Sequence, residues 1–212
     1  METPTAGKKP EADFWHHVAL DGAMVRRAFA RGIPTMNPRP EAAAKMEGMS
    51  GTVSRRAEAM ASVLEKGAAA LTAFAEGLSD AEWHTPVPHD GRKIGVVVHH
   101  VATMYPLEIG LAQKLAGGGV IDDVTWDNVH AINAQHARDF DAVGKAEALA
   151  LVRRNSAAAA AAVRAVSDAE LDRIAPNSLY GNTPLTCQFM LEDHAVRHSF
   201  HHLAKIRAAL KR

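Results

Sequence analysis

The sequence predicts an all-α protein whose main domain is a four-helix bundle, preceded by an N-terminal extension that contains a short helix. Aromatic residues make up only 5% of the 212 residues while alanine is abundant, a composition that favours helix over strand. Several long stretches repeat apolar residues at spacings of three and four, as amphipathic helices do. A Ser-Asp-Ala-Glu turn follows two of these stretches, and each turn leads to a histidine-bearing helix. We therefore expect two similar helical hairpins that bury their apolar stripes on one another.

Residues 1–51 are predicted to form the extension, and residues 52–212 the bundle domain. Prolines interrupt the extension repeatedly, and a proline in a helix interior breaks or kinks the helix. Apolar residues lie at helical spacing between Phe14 and Arg31. We expect one short amphipathic helix there, between two irregular segments.

The first predicted hairpin occupies the N-terminal half of the bundle domain. Its first helix spans residues 52–76, and a loop follows it. The loop opens with a turn in which Ser79 and Glu82 have the spacing of a capping box. The second helix spans residues 94–115, and Pro106 inside it predicts a kink in the turn that precedes the proline.

The second hairpin repeats this order after an acidic link. A short helix is expected over residues 126–140 and a long helix over residues 145–166, whose alanine run permits close helix packing. The second Ser-Asp-Ala-Glu turn covers residues 167–170. The final helix is predicted between Pro184 and Lys211, a stretch without glycine or proline.

The final helix carries four of the twelve histidines. His198 and His202 are four residues apart, so at about 100° per residue they lie within roughly 40° of each other. Two histidines at this spacing form half of a metal site, and a third ligand from a neighbouring helix would leave one coordination position open. His194 and His201 lie beside them, and the sequence leaves open whether either of these, or His99 of the second helix, joins the site.

His100 is the predicted third ligand. It lies in the middle of the apolar stripe of the second helix, where a histidine needs a metal or, as an ordinary core residue, a hydrogen-bond partner. His99, about 100° away around the helix, is expected outside that stripe. His130 and His136 are six residues apart on opposite faces of a helix, and we expect both to be ordinary surface or core-edge residues.

A family resemblance points to the same three histidines. The segments Val97-Val-His-His100-Val and His198-Ser-Phe-His-His202-Leu resemble the DinB/YfiT-like four-helix bundles, a superfamily of metal-dependent enzymes, and the resemblance covers about residues 52–210. In that superfamily a histidine of the second helix and both histidines of a C-terminal His-x-x-x-His pair hold a divalent metal. The resemblance therefore implies that His100, His198 and His202 are the metal ligands.

The chemistry of such a site leaves two activities open. Three neutral imidazoles leave a divalent ion with its full charge and at least one solvent position, which is the arrangement of a catalytic site. Zinc or nickel is the expected ion, ahead of Fe(II) or Mn(II). One activity is metal-assisted hydrolysis. The other is thiol-dependent transfer or isomerisation, which the resemblance implies because some members use bacillithiol, mycothiol or glutathione. The alternative to an enzyme is a helical module that binds a ligand or holds a structural metal.

Glu108 is a further candidate catalytic residue. It lies two turns past His100 and about 80° around the helix. There it is either a general base or a hydrogen-bond acceptor for a metal ligand. A solvated or salt-bridged glutamate is the ordinary alternative.

Composition disfavours several other classes of protein. Lys+Arg and Asp+Glu both total 24, so no net field attracts nucleic acid or an anionic membrane. The apolar runs fall short of the roughly 20 residues that span a bilayer, and no apolar signal segment follows the N-terminal charges. The single Cys187 excludes an internal disulfide and agrees with a reducing compartment. We therefore expect a cytoplasmic protein that forms a homodimer and acts on a small molecule.

Overall fold

The computed structural model describes residues 54–212, so the short helix predicted between residues 14 and 31, and the domain boundary after residue 51, lie outside the described residues. A 3₁₀ turn separates the two strands, and a π-helical turn joins the last two helices. In chain order the elements are α1 (Arg55–Glu76), α2 (Asp80–Trp83), α3 (Ile94–Ala116), α4 (Trp126–Asp139), α5 (Lys145–Arg164), α6 (Asp168–Leu171), β1 (Ile174–Asn177), the 3₁₀ turn (Ser178–Tyr180), β2 (Thr183–Thr186), α7 (Cys187–Leu191), the π-helical turn (Glu192–Val196) and α8 (Arg197–Leu210).

Four long helical elements form the predicted four-helix bundle: α1, α3, α5 and a C-terminal helix composed of α7, the π-helical turn and α8. Helix α5 packs along both α1 and α3, and the C-terminal helix also packs along both. Helices α1 and α3 are therefore diagonal to each other, as are α5 and the C-terminal helix. The prediction of two hairpins of neighbouring helices is wrong, because the connection over residues 77–93 is long enough to cross the end of the bundle.

The helices α2 and α6 begin at the two predicted capping boxes. The carboxylate of Glu82 accepts a hydrogen bond from the backbone N–H of Ser79 at 2.8 Å, and the Ser79 hydroxyl accepts from the backbone of Glu82. Ser167 and Glu170 form the same pair of bonds. Each box satisfies two backbone N–H groups that would otherwise lack partners.

Helix α3 runs without interruption through Pro106, where the sequence predicts a kink. Proline has no backbone N–H, so the carbonyl of Ala102 loses its helical partner. The side-chain amide of Asn155, from α5, donates to that carbonyl at 2.9 Å. The bond satisfies the freed carbonyl and ties α3 to α5 at this turn.

A short antiparallel β-hairpin precedes the C-terminal helix, an element that the sequence does not predict. Strand β1 pairs with β2 in a register that places Ile174 opposite Thr186. The backbone of Ile121 bonds to Pro176 and Ser178, which fastens the link after α3 to the hairpin. Helix α7 therefore begins only after β2, later than the predicted start just past Pro184.

Helix α3 is also the one helix of residues 54–212 that is long and apolar enough to cross a membrane. In the structure, 78% of the most apolar 18-residue stretch of this helix is buried. Its apolar character is therefore explained by its position in the core, where it packs against α5, α7 and α8.

Gly95 allows the N-terminal end of α3 to approach Trp83 closely. A Cβ atom at Gly95 would lie 2.3 Å from Cε2 of Trp83. The indole has little freedom to move, because it is 4% exposed and its Nε1 donates to the carbonyl of Val143 at 3.1 Å. At Gly110, which is exposed on the same helix, an added Cβ would meet no atom within 4 Å.

The two glycines make a matched pair for a stability test. We expect Gly95→Ala to lower the free energy of unfolding by about 1–3 kcal/mol, the usual cost of overpacking. Gly110→Ala should raise it by up to about 1 kcal/mol, because alanine is the better helix former. Urea unfolding followed by circular dichroism measures both. A Gly95→Ala protein as stable as Gly110→Ala would contradict the close Trp83 contact.

Candidate metal centre

Three histidines from two helices meet inside the bundle. His100 comes from α3, and His198 and His202 come from successive turns of α8. One ring nitrogen of each lies within 4.8 Å of a ring nitrogen of the other two. The ring centroids are 5.2 Å apart for His100 and His198, 5.2 Å for His100 and His202, and 4.9 Å for His198 and His202. The structure thus brings together the three residues that the sequence names as ligands.

The environment of His100 and His202 favours the neutral imidazole, which is the form that binds a metal. His100 is 3% exposed and His202 is 6% exposed. Burial is the main cause that lowers the pKa of both rings well below the usual value of a histidine, because a buried charge is costly. Their Nδ1 atoms are buried and have no hydrogen-bond partner among residues 54–212. Three imidazoles, each with a ring nitrogen close to those of the other two, fit a divalent ion such as zinc or nickel.

Glu108 lies against the edge of this site, as the sequence suggests. Its Oε1 is 2.6 Å from Nδ1 of His198 and 4.0 Å from Nδ1 of His194. The two atoms are in close contact, although the ring nitrogen does not have the alignment of a hydrogen bond. Glu108 is 9% exposed, and its Oε2 is buried without a partner among the described residues. A carboxylate in this position orients His198 and offsets the charge of an ion bound by it.

Comparison with known protein families agrees with this architecture. The family model described as the DinB superfamily matches residues 63–206. The chain belongs to the DinB superfamily. No curated protein matches it.

One solved structure shares the fold of this DinB-superfamily chain. It is that of YfiT from Bacillus subtilis, described as a probable metal-dependent hydrolase with an unusual four-helix bundle topology. The TM-score is 0.58 and the sequence identity 19%, over 77% of this chain and 90% of YfiT. The predicted DinB/YfiT-like fold is therefore confirmed. The diagonal arrangement of α1 and α3 gives this DinB-superfamily bundle a topology different from that of simple consecutive hairpins.

The DinB-superfamily bundle also buries a second pair of histidines that the sequence does not predict. Nδ1 of His99 lies 2.9 Å from Nε2 of His136, and Phe140 packs against the His99 ring at a centroid distance of 4.0 Å. His99 is 3% exposed and His136 is fully buried. The expectations that His99 lies outside the apolar stripe and that His136 is a surface or core-edge residue are wrong, because α4 covers this flank of α3.

Neither of the two remaining histidines of the C-terminal helix belongs to the group of three. His201 is exposed on the outer side of α8. His194 lies on the π-helical turn, where its Nε2 is 3.0 Å from the hydroxyl of Tyr180, which donates to Asp193. His194 therefore contacts Glu108 and Tyr180, and the group that can hold an ion keeps three histidines.

The three-histidine site gives a direct prediction for metal affinity. Replacing His100 or His202 by alanine removes one of three donors, so we expect the affinity for Zn(II) to fall by more than about 100-fold. His201→Ala, an exposed histidine on the same helix, should leave the affinity unchanged. Competition of each variant with a fluorescent zinc chelator measures this. Equal affinities for His100→Ala and His201→Ala would contradict the site.

The contact between Glu108 and His198 predicts a smaller loss of affinity. Glu108→Gln keeps the shape of the side chain but removes its charge, and a partner of this kind is worth about 10–100-fold in metal affinity. Glu192→Gln is the control, because Glu192 is exposed and bonds only to Gln188 one turn away. The same chelator competition compares the two. A Glu108→Gln protein that binds zinc as tightly as the control would show that the carboxylate does not support His198.

The buried His136 predicts that the metal-free protein loses stability in acid. Burial, with the charge of a neighbouring His99, lowers the pKa of His136 from 6.5 to about 4. As the pH falls from about 6.5 to about 4, the unfolded chain binds a proton that the folded protein does not, so the free energy of unfolding decreases. His136→Gln should reduce this decrease. Urea midpoints across that range measure it, and identical profiles for both proteins would contradict the assignment.

Proposed function

We propose that this chain is a metal-dependent hydrolase that acts on a small molecule with zinc or nickel as its ion. One observation carries the proposal: the group of three histidines, two of them buried and one partly buried, in which no fourth protein ligand takes part among residues 54–212. A structural zinc site is normally closed by four protein ligands, whereas a catalytic site keeps one position for solvent or substrate. The description of YfiT as a probable metal-dependent hydrolase agrees with this assignment.

The ligand set determines what the residues of this chain contribute. A divalent ion, when bound, would polarise a carbonyl or lower the pKa of a bound water molecule to about 7. Imidazole ligands add no negative charge to a bound ion, and the burial of His100 and His202 strengthens its electrostatic effect. The Oε1 atom of Glu108 holds His198 in place, so Glu108 acts first as a positioning residue. Its unpartnered Oε2 is available to accept a hydrogen bond from water or substrate.

We also propose a cytoplasmic location for the protein. Cys187 is a free thiol that is fully buried, and burial raises its pKa to about 11, which keeps it protonated and unreactive. A buried reduced cysteine suits the reducing cytoplasm. The choice between zinc and nickel, and the homodimer, stay predictions.

Activity assays of the metal-loaded protein test the proposed function. Zinc-loaded and nickel-loaded wild type are offered panels of activated esters, amides and phosphoesters, each with and without a low-molecular-weight thiol such as bacillithiol, mycothiol or glutathione. We expect hydrolysis without thiol that His100→Ala lowers by at least about 100-fold and His201→Ala leaves intact.

Two results would overturn the proposal in different ways. Turnover that appears only when a thiol is added would replace hydrolysis by thiol-dependent transfer or isomerisation. A protein that holds its ion but turns over nothing in either panel would be a binding module or a structural-metal bundle.

A further inference from the structure

A chain of polar side chains connects the edge of the three-histidine group to the surface. Oε1 of Glu108 lies 2.6 Å from Nδ1 of His198 on one side and 4.0 Å from Nδ1 of His194 on the other. Nε2 of His194 lies in turn 3.0 Å from the hydroxyl of Tyr180. The exposed fraction of the side chain rises outward, from 10% for Glu108 to 16% for His194 and 28% for Asp193. Solvent therefore reaches this edge of the site at His194.

The hydrogen bonds of Tyr180 determine which nitrogen of His194 carries the proton. A tyrosine hydroxyl has one proton, and Tyr180 donates it to Oδ2 of Asp193. The hydroxyl oxygen therefore accepts from Nε2 of His194, 3.0 Å away. Burial lowers the pKa of His194, so the ring is neutral at neutral pH. Its other nitrogen, Nδ1, then keeps an unshared electron pair.

Arg197 supports this arrangement from the outside. Its Nε lies 3.2 Å from Oδ1 of Asp193 and donates to the backbone carbonyl of Asp193 at 2.5 Å. The guanidinium attracts the negative carboxylate and so holds Asp193 as the acceptor of the Tyr180 proton. His194 lies on the π-helical turn, a local widening of a helix that is frequent at functional sites. The direction of its Nδ1 atom is thus fixed from both sides of the ring.

Two hydrogen-bond acceptors therefore face each other at the edge of the metal site. Nδ1 of His194 and Oε1 of Glu108 are 4.0 Å apart, too far for a direct hydrogen bond, and neither atom supplies a proton for one. Oε2 of the same carboxylate is buried and has no partner among residues 54–212. A buried acceptor without a donor costs free energy. A group with two or more N–H donors would satisfy both residues, whereas a hydroxyl has only one proton.

We propose that Glu108 and His194 bind a primary amino or amide nitrogen of the substrate beside the metal, so that the site selects small molecules that carry an –NH₂ or –NH₃⁺ group. A carboxylate and an imidazole electron pair both accept from such N–H groups. Tyr180 acts through His194, as a positioning residue that keeps the ring proton on Nε2. The inference rests on the proposed function, since the reacting part of the same molecule would lie at the metal.

Hydroxamates test this preference, because the hydroxamate group binds zinc and leaves the rest of the molecule to contact the protein. Glycine hydroxamate is compared with acetohydroxamate, and β-alanine hydroxamate with propionohydroxamate, so that each pair differs only in the amino group. Calorimetry measures their affinities for the zinc-loaded full-length protein, whose zinc content is determined before and after. Long-range ¹H–¹⁵N spectra of the histidine rings, recorded with and without zinc, show which nitrogen of His194 carries the proton.

Three variants separate the role of His194 from a general effect on structure. His194→Phe keeps a ring without nitrogens, Tyr180→Phe removes the acceptor of the Nε2 proton, and His201→Phe is the control on the exposed side of α8. In at least one pair we expect the amino compound to bind the wild type at least about tenfold more tightly than its partner. His194→Phe should lower this ratio at least about fivefold, and His201→Phe should not change it. Tyr180→Phe should move the ring proton to Nδ1, where Glu108 accepts it, and lower the ratio as well.

Equal affinities within both pairs, a ratio that His194→Phe leaves unchanged, or a wild-type proton on Nδ1 would overturn the inference. If His194→Phe does not fold, the wild-type affinities and Tyr180→Phe decide. A wild type without zinc would defeat the proposed function instead. In that case methylammonium is titrated into the metal-free protein: a saturable shift of the His194 signals supports the amino site, and unmoved signals overturn it.

Discussion

The packing of α3 against α8 is the contact on which the site depends. It brings His100 close to His198 and His202. Glu108, two turns after His100 on α3, contacts His198 at the same interface. Near this point the buried hydroxyls of Tyr105 and Ser199 lie 2.7 Å apart and hydrogen-bond across the two helices. Because a buried histidine must be neutral or paired, the burial of His100 and His202 at this contact favours metal binding over protonation.

The rest of the bundle holds this contact in place. Helix α5 packs along α3, and helix α1 packs along the C-terminal helix. Helices α1 and α5 also pack on each other, so one of them supports each site helix. The amide of Asn155 donates to the carbonyl that Pro106 leaves without a helical partner. Helix α3 therefore continues past its proline, and Glu108 lies at the site. The scaffold therefore fixes the ligands on helices, which position side chains more accurately than loops do.

Much of this architecture can be predicted from interactions between residues close in sequence. The rest depends on packing between segments that are distant in sequence. Capping at Ser79 and Ser167, and the spacing of His198 and His202, depend on neighbours within four residues, so they can be read from the chain. The burial of His99 and His136 depends on where α4 packs, and no periodicity within α4 reveals it. The β-hairpin cannot be predicted from the sequence pattern, because its strands have only four residues each and both contain proline.

We propose that His100, His198 and His202 bind one divalent ion and leave it an open position. A crystal structure of the zinc-loaded protein, with diffraction data collected on both sides of the zinc absorption edge, would show this site. We expect a single anomalous peak bonded to one nitrogen of each of the three rings, at about 2.0–2.1 Å, with no fourth protein ligand. A peak at another place, or an ion closed by His194 or His201 as a fourth ligand, would contradict it.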